Sequence, residues 1–330
     1  MGLLLVAGAA VAVGLEKKRD NSYDNPEYVF TYAENQAEDY PTTKGAYRFA
    51  QLVQERTGGK VSIQIYSGAA LGDECSVMDQ LRFGGIDFAR LSLATVADMV
   101  PELTVLQVPY IYNSSDHMWR VLDGDIGNQF MDVFQSYDML PLSWYDAGAR
   151  SFYTTGKPIE KFEDLAGMKI RVPESNMMED VIAALGAEPV SLAFDEVYSS
   201  LETGACDGAE NNWPSYDSTR HYEVAKYVTL DEHARIPELQ LVSRATWDKL
   251  PEEYREIIRQ CARESAEYER HLWKLQERIS REHVRASGCI VTELPPEEME
   301  KFRAAMIPVY EKYCAGQMDV INAIIEQGKE

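Results

Sequence analysis

Apolar positions along this chain switch between two spacings. Tyr28-Val29-Phe30-Thr31-Tyr32 and Val61-Ser62-Ile63-Gln64-Ile65-Tyr66 read as strands. Between them Ala46, Phe49, Ala50 and Val53 share one face of a helix from Pro41 to Arg56, which Thr57-Gly58-Gly59 stops. A helix over Asp73–Phe83 and a strand over Ile86–Leu91 follow. This β-α-β-α-β opening predicts a mainly parallel sheet with right-handed crossovers.

The alternation restarts near Arg150. Ala149–Tyr153, Met168–Pro173, Glu188–Ser191 and Cys206–Glu210 read as strands, with helices over Met177–Leu185 and Phe194–Glu202. Two runs of one pattern predict two α/β lobes. No Gly/Ser-rich linker separates them, so the chain is expected to cross on strands, and Leu239–Ser243 is expected to return it. The division expected is 27–147 with 237–275 in lobe I and 148–236 with 276–330 in lobe II. Between Pro251 and Ser287 there is no further Pro or Gly, and opposite charges such as Glu252, Glu256, Arg255 and Arg259 lie one turn apart. Apolar positions there keep no strict heptad, which fits a single long helix across the back of both lobes better than a coiled coil.

Charge narrows the partners. With 54 acidic and 32 basic side chains in 330 residues the formal net charge is -22. Nucleic acid and anionic lipid both require basic surface and are excluded as expected partners. Met1–Gly14 is apolar and too short to span a bilayer. It reads as the apolar core of an export signal lacking its basic leading segment, so residues 1–26 are assigned to a remnant signal and linker. The mature chain is then expected to be extracytoplasmic and not inserted in a membrane. Five cysteines form no CxxC pair, which disfavours a zinc or redox motif and leaves one or two disulfides open.

Two arginines carry the candidate chemistry. In Met168–Pro173, Ile170 and Val172 take one face of the pleat and Arg171 the other, while Pro173 ends the strand. That places a guanidinium near a strand terminus, where α/β proteins commonly bind ligands. Arg150 stands on a comparable run. A permanently charged planar fork suits a carboxylate, and the overall negative charge requires any such attraction to be local. Neither nucleophile elbow, zinc-protease helix, phosphate loop nor dinucleotide fingerprint is present. The five histidines lack ligand spacing, and His233 is expected at the surface, with a hydrogen-bonded place at the hinge near Arg235 as the alternative. No cofactor or metal is expected, and the site reads as a binder rather than an enzyme.

Several strings resemble the extracytoplasmic substrate-binding proteins of TRAP (tripartite ATP-independent periplasmic) transporters. They are Ser67–Glu74, Asp164–Pro173, Phe194–Leu201, Asp207–Trp213 and His221–Tyr227, in the family's order. The resemblance implies a two-lobed, hinged clamp with a long helix spanning both lobes, and a membrane permease driven by an ion gradient as partner. It also implies that Arg171 forms the salt bridge to the ligand carboxylate, with Arg150 and Asn211 assisting.

Other cleft candidates follow from position. Glu34 and its amide neighbours end the first strand, Glu74 and Ser92 open lobe I turns, and Glu238 precedes the return strand. Trp213 and Tyr216 are candidates for stacking on a sugar ring, and the resemblance implies that Phe194, in Phe194–Leu201, closes the pocket. Carboxylates and amides beside an arginine pair predict a ligand with one carboxylate and several hydroxyls, such as glucuronate or galacturonate. The alternatives are a receptor for a C4-dicarboxylate, keto acid or sialic acid, a receptor serving a chemosensory partner, or a carboxylate-dependent glycoside-processing enzyme.

Overall fold

The computed structural model describes residues 25–329, so the proposed export segment lies outside the described residues. Among the described residues, eleven strands form two sheets. They are β1 (Tyr28–Ala33), β2 (Val61–Tyr66), β3 (Phe88–Ser92), β4 (Met139–Tyr145), β5 (Arg150–Thr154) and β6 (Lys169–Val172). β7 (Glu188–Ser191), β8 (Gly208–Asn211), β9 (Tyr227–Ala234), β10 (Glu238–Ser243) and β11 (Ile290–Glu293) complete the set. Lobe I holds the order β2-β1-β3-β10-β4 and lobe II the order β11-β9-β5-β8-β6-β7.

The opening strands pair in parallel, as the alternation predicts. Later strands add antiparallel partners: β10 lies between β3 and β4, and β5 between β8 and β9, each antiparallel to both neighbours. These antiparallel strands are the lobe crossings. β4 runs through Asp146–Ala149 into β5, and β9 runs through Arg235–Pro237 back into β10. Because β4 pairs with β10 and β5 with β9, the two crossings lie side by side and form a short two-stranded hinge. Gly148 sits in the first crossing at φ +60, where an added Cβ would lie 2.9 Å from the Trp273 indole nitrogen. Glycine answers both constraints.

The long helix runs from Glu252 to Ala286, about 50 Å at 1.5 Å per residue. Its first half packs Ile258, Cys261 and Ala262 onto Phe49 and Val53 of helix Pro41–Arg56, above an aromatic cluster of Phe30, Tyr32 and Phe88. Burying each Ile, Val or Phe of this seam contributes roughly 1.5–3 kcal/mol. Its second half lies on lobe II, with Arg281 over Trp213 and His283 Nδ1 2.6 Å from Asp217.

The C-terminal tail departs from the expected division. Helix Pro296–Ala305 packs Phe302 edge-on against Phe162 of lobe II, but helix Met318–Gln327 buries Ile321 and Ile324 and returns to lobe I. There His117 Nε2 lies 2.7 Å from Ile324 O, and Arg120 donates to Gln327 O at 2.7 Å. Residues assigned to lobe II by order along the chain therefore strap both lobes. All five cysteines are free thiols. Among the described residues, no helix is long and apolar enough to cross a membrane.

Candidate functional site

Between the lobes lies a cleft lined by residues of both sheets and of the long helix. Its lobe II wall is built on β6, where Ile170 and Val172 are fully buried below the sheet and Arg171 projects from the other face. Arg171 is 2% exposed and lines the cleft. Its Nε and Nη2 donate to Leu192 O at 3.0 and 2.6 Å, and it forms no ion pair among the described residues. Burial lowers its pKa somewhat, yet a guanidinium keeps its charge. A desolvated cation with Nη1 uncommitted is the outstanding electrostatic feature of this wall.

Arg150, beside it, is already neutralised. Its Nε and Nη2 bond the Glu210 carboxylate, the latter at 2.8 Å to Oε1, and Nη1 donates to Asn211 Oδ1 at 3.1 Å. Glu210 also meets His233 Nε2 at 3.3 Å, while His233 Nδ1 lies 2.9 Å from Asp231 Oδ2. Burial pushes the Glu210 carboxyl up, but Arg150 and His233 outweigh it and hold the group at about 2. Burial likewise pushes His233 down, and its two carboxylates more than reverse this, to about 9. The imidazolium is thus a buried hinge group, correcting the expected surface position. Asn211 accepts from Arg150 and from Asn212 N through Oδ1, which leaves its Nδ2 to donate toward the cleft.

The lobe I wall centres on Arg90 of β3, 2% exposed, which sequence reading did not single out. Its Nε donates to Glu34 at 3.0 Å, and its Nη1 to Glu74 Oε1 at 2.8 Å and Glu238 Oε2 at 2.7 Å. Nη2 bonds Glu34 and Asn35 Oδ1. Glu34 therefore lies behind the guanidinium, fully buried, and does not offer itself to a ligand as its position after β1 suggested. Glu74 and Glu238 do line the cleft. Glu74 is further held by Thr95 Oγ1 at 3.1 Å and Asn35 Nδ2 at 3.0 Å. Glu238 has Arg90 alone; burial raises its pKa, Arg90 draws it back, Glu74 raises it again, and the result is about 7.

Of the remaining candidates, Ser92 and Phe194 line the cleft, although Ser92 Oγ also caps the next helix by accepting from Ala94 N. Trp213 and Tyr216 do not line it; both pack in the lobe II core, and Tyr216 bonds Ala225 O. Asn212 explains this. Its side chain accepts from Ser215 N at 2.8 Å and starts helix Trp213–Ser218, whose inner face takes both aromatics.

Further cleft residues carry no local sequence signal. Trp273 reaches it from the long helix, and Trp273 Nε1 and Thr42 Oγ1 are buried polar atoms with no protein partner. Tyr40 spans the lobes, its hydroxyl 2.8 Å from Ser215 Oγ and 3.4 Å from Asn212 Oδ1. Asn176 N and Nδ2 reach Asp98 Oδ2 at 3.0 and 2.9 Å at another interlobe contact. The lobes are thus held closed over a cavity that joins one cation without a counter-ion to several hydrogen-bonding groups without partners, among the described residues.

The model for bacterial extracellular solute-binding proteins, family 7, matches residues 32–317. A protein of Chromohalobacter salexigens described as a solute-binding protein is 38% identical over 274 residues, 83% of this chain and 81% of its own. The crystal structure of a TRAP periplasmic solute-binding protein from Roseobacter denitrificans with bound β-D-glucuronate is 38% identical, with a TM-score of 0.86, covering 91% of this chain and 98% of that one. A TRAP periplasmic solute-binding protein from Xanthobacter autotrophicus with bound β-D-galacturonate is 37% identical, TM-score 0.87, covering 90% and 99%.

Proposed function

Since the chain belongs to family 7 of the bacterial extracellular solute-binding proteins, among the receptors of TRAP transporters, we propose that it captures a hexuronate outside the cytoplasm and presents it to the membrane permease. As a member of that family it is a receptor and not an enzyme. The observation that carries the ligand assignment is Arg171, a buried guanidinium that has no counter-ion among the described residues and stands on the wall of the cleft. A ligand carboxylate supplies the missing charge, and the Asn211 amide stands ready to bond the same end.

The rest of the cleft suits hydroxyls. Thr42 Oγ1 and Trp273 Nε1 offer partners still unpaired, and Glu74 and Glu238 offer acceptors at the lobe I wall. The uronates bound by the Roseobacter and Xanthobacter proteins have this outline, one carboxylate on a hydroxyl-rich ring. The chain's charge of -22 is no obstacle, because exposed charges are screened beyond a Debye length of about 8 Å while a buried cation acts at contact.

Thermal-shift titration with glucuronate, galacturonate, succinate, pyruvate and sialic acid tests the assignment. A rise in Tm with a uronate at concentrations where the others leave it unchanged is expected. Stabilisation by succinate or pyruvate but by neither uronate would overturn it.

A further inference from the structure

Arg90 is a second buried guanidinium in the same cleft, and its surroundings differ from those of Arg171 in a way that bears on selectivity. Its Nε, Nη1 and Nη2 together bond Glu34, Asn35, Glu74 and Glu238, so no guanidinium nitrogen is uncommitted. When all three carboxylates are ionised, three negative charges surround one positive charge. Glu34 alone would neutralise the arginine. Glu74 and Glu238, with side chains 14% and 12% exposed, are the two that reach the cavity.

We infer that Glu74 and Glu238 form a charge filter that masks Arg90 and excludes sugar acids whose second carboxylate meets the lobe I wall. The inference rests on the sugar-acid reading of the cleft and adds its selectivity. A terminal hydroxyl or hemiacetal donates to these carboxylates. A carboxylate in the same place has nothing to donate, finds every nitrogen of Arg90 occupied, and meets the Glu74 charge and, once pH rises above the Glu238 value of about 7, a second like charge. Such like-charge juxtaposition is how binding sites reject near-isosteric competitors. Replacing the two outer carboxylates by amides removes the like charges, supplies N–H donors to a ligand carboxylate and leaves Glu34 as the one counter-charge bonded to Arg90 among the described residues. The masked arginine then becomes a second carboxylate site.

The matched probes are galactonate and galactarate, open chains differing only in whether one end is CH₂OH or carboxylate, with gluconate and glucarate as a second pair. Calorimetric titration of the wild type, Glu74→Gln, Glu238→Gln and the double variant gives the ratio of monoacid to diacid affinity. Thermal unfolding and circular dichroism of each variant establish that it is folded. The wild type is expected to favour the monoacid by about a hundredfold or more, on the scale of like-charge rejection. The double variant should lower that ratio at least tenfold, each single variant less, mainly by gaining diacid affinity. A ratio unchanged in the folded double variant, or a wild type that binds galactarate as tightly as galactonate, overturns the filter. If the wild type binds monoacids and no uronate, the hexuronate assignment fails while the ratio still decides the filter. If neither the wild type nor the double variant binds any of these four acids, the filter falls, while the uronate titration decides the hexuronate assignment separately.

Discussion

Glu210 holds the lobe II side of the cleft together, and Glu210→Gln isolates its charge. The substitution keeps shape and one acceptor oxygen but leaves Arg150 and the His233 imidazolium without their shared counter-ion. A carboxyl held at about 2 rather than 4.5 has its charged form favoured by about 3 kcal/mol, at 1.36 kcal/mol per tenfold change in proton affinity. Breaking a buried ion pair from one side costs a similar ~3–5 kcal/mol. At roughly 2–4 °C per kcal/mol for a large domain, Tm at pH 7 should fall by about 6–12 °C. The sign with pH follows from a depressed carboxyl: its stabilisation is complete above pH 4.5 and disappears as pH falls toward 2. The wild type should therefore lose stability across that window and the variant should lack this limb. Differential scanning calorimetry between pH 2.5 and 8 reads both. A variant within about 2 °C of the wild type at pH 7, with an unchanged acid limb, would refute the linkage of Arg150, Glu210 and His233.

Other perturbations probe the hinge and the closed state. His233 is raised to about 9, so its contribution is complete below pH 6.5 and declines as pH rises through 9; urea unfolding should show that decline in the wild type and a flatter profile in His233→Gln. Gly148→Ala must hold φ +60 and place a methyl 2.9 Å from Trp273 Nε1, and should lower Tm by several degrees; an unshifted Tm would mean the hinge relaxes freely. Tyr40→Phe removes the hydroxyl bridge to Ser215 and Asn212, worth about 1 kcal/mol. It should weaken uronate affinity several-fold by calorimetry and raise the open fraction seen in small-angle scattering of the free protein.

What the sequence disclosed depended on how local the cause was. Arg171 was legible because alternation along four residues and Pro173 fix both its face and its place at the strand end. The lobe crossings were legible because strands without flexible linkers must connect the sheets. Arg90 was not, because its partners Glu34, Glu74 and Glu238 stand 56, 16 and 148 residues away, and only the sheet and the return strand bring them together. A lone arginine inside the apolar run Phe88-Ala89-Arg90-Leu91 was the available signal, since a buried charge in a strand requires partners. Trp213 and Tyr216 misled by adjacency to Asn211; one helix cap at Asn212 turns them into the core. Trp273 was hidden in a long polar helix, where the near approach of the Gly148 hinge gives one position a cleft role. The tail was assigned by order, whereas Ile321 and Ile324 find their apolar partners on the opposite lobe.

A crystal structure of the protein with bound glucuronate tests the central claim most directly. The account predicts a ligand carboxylate oxygen within about 3 Å of Arg171 Nη1, with Asn211 Nδ2 at the same end and the ring hydroxyls toward Glu74 and Glu238. A ligand whose carboxylate lies away from Arg171, with that guanidinium still bonded only to Leu192 O, would contradict it.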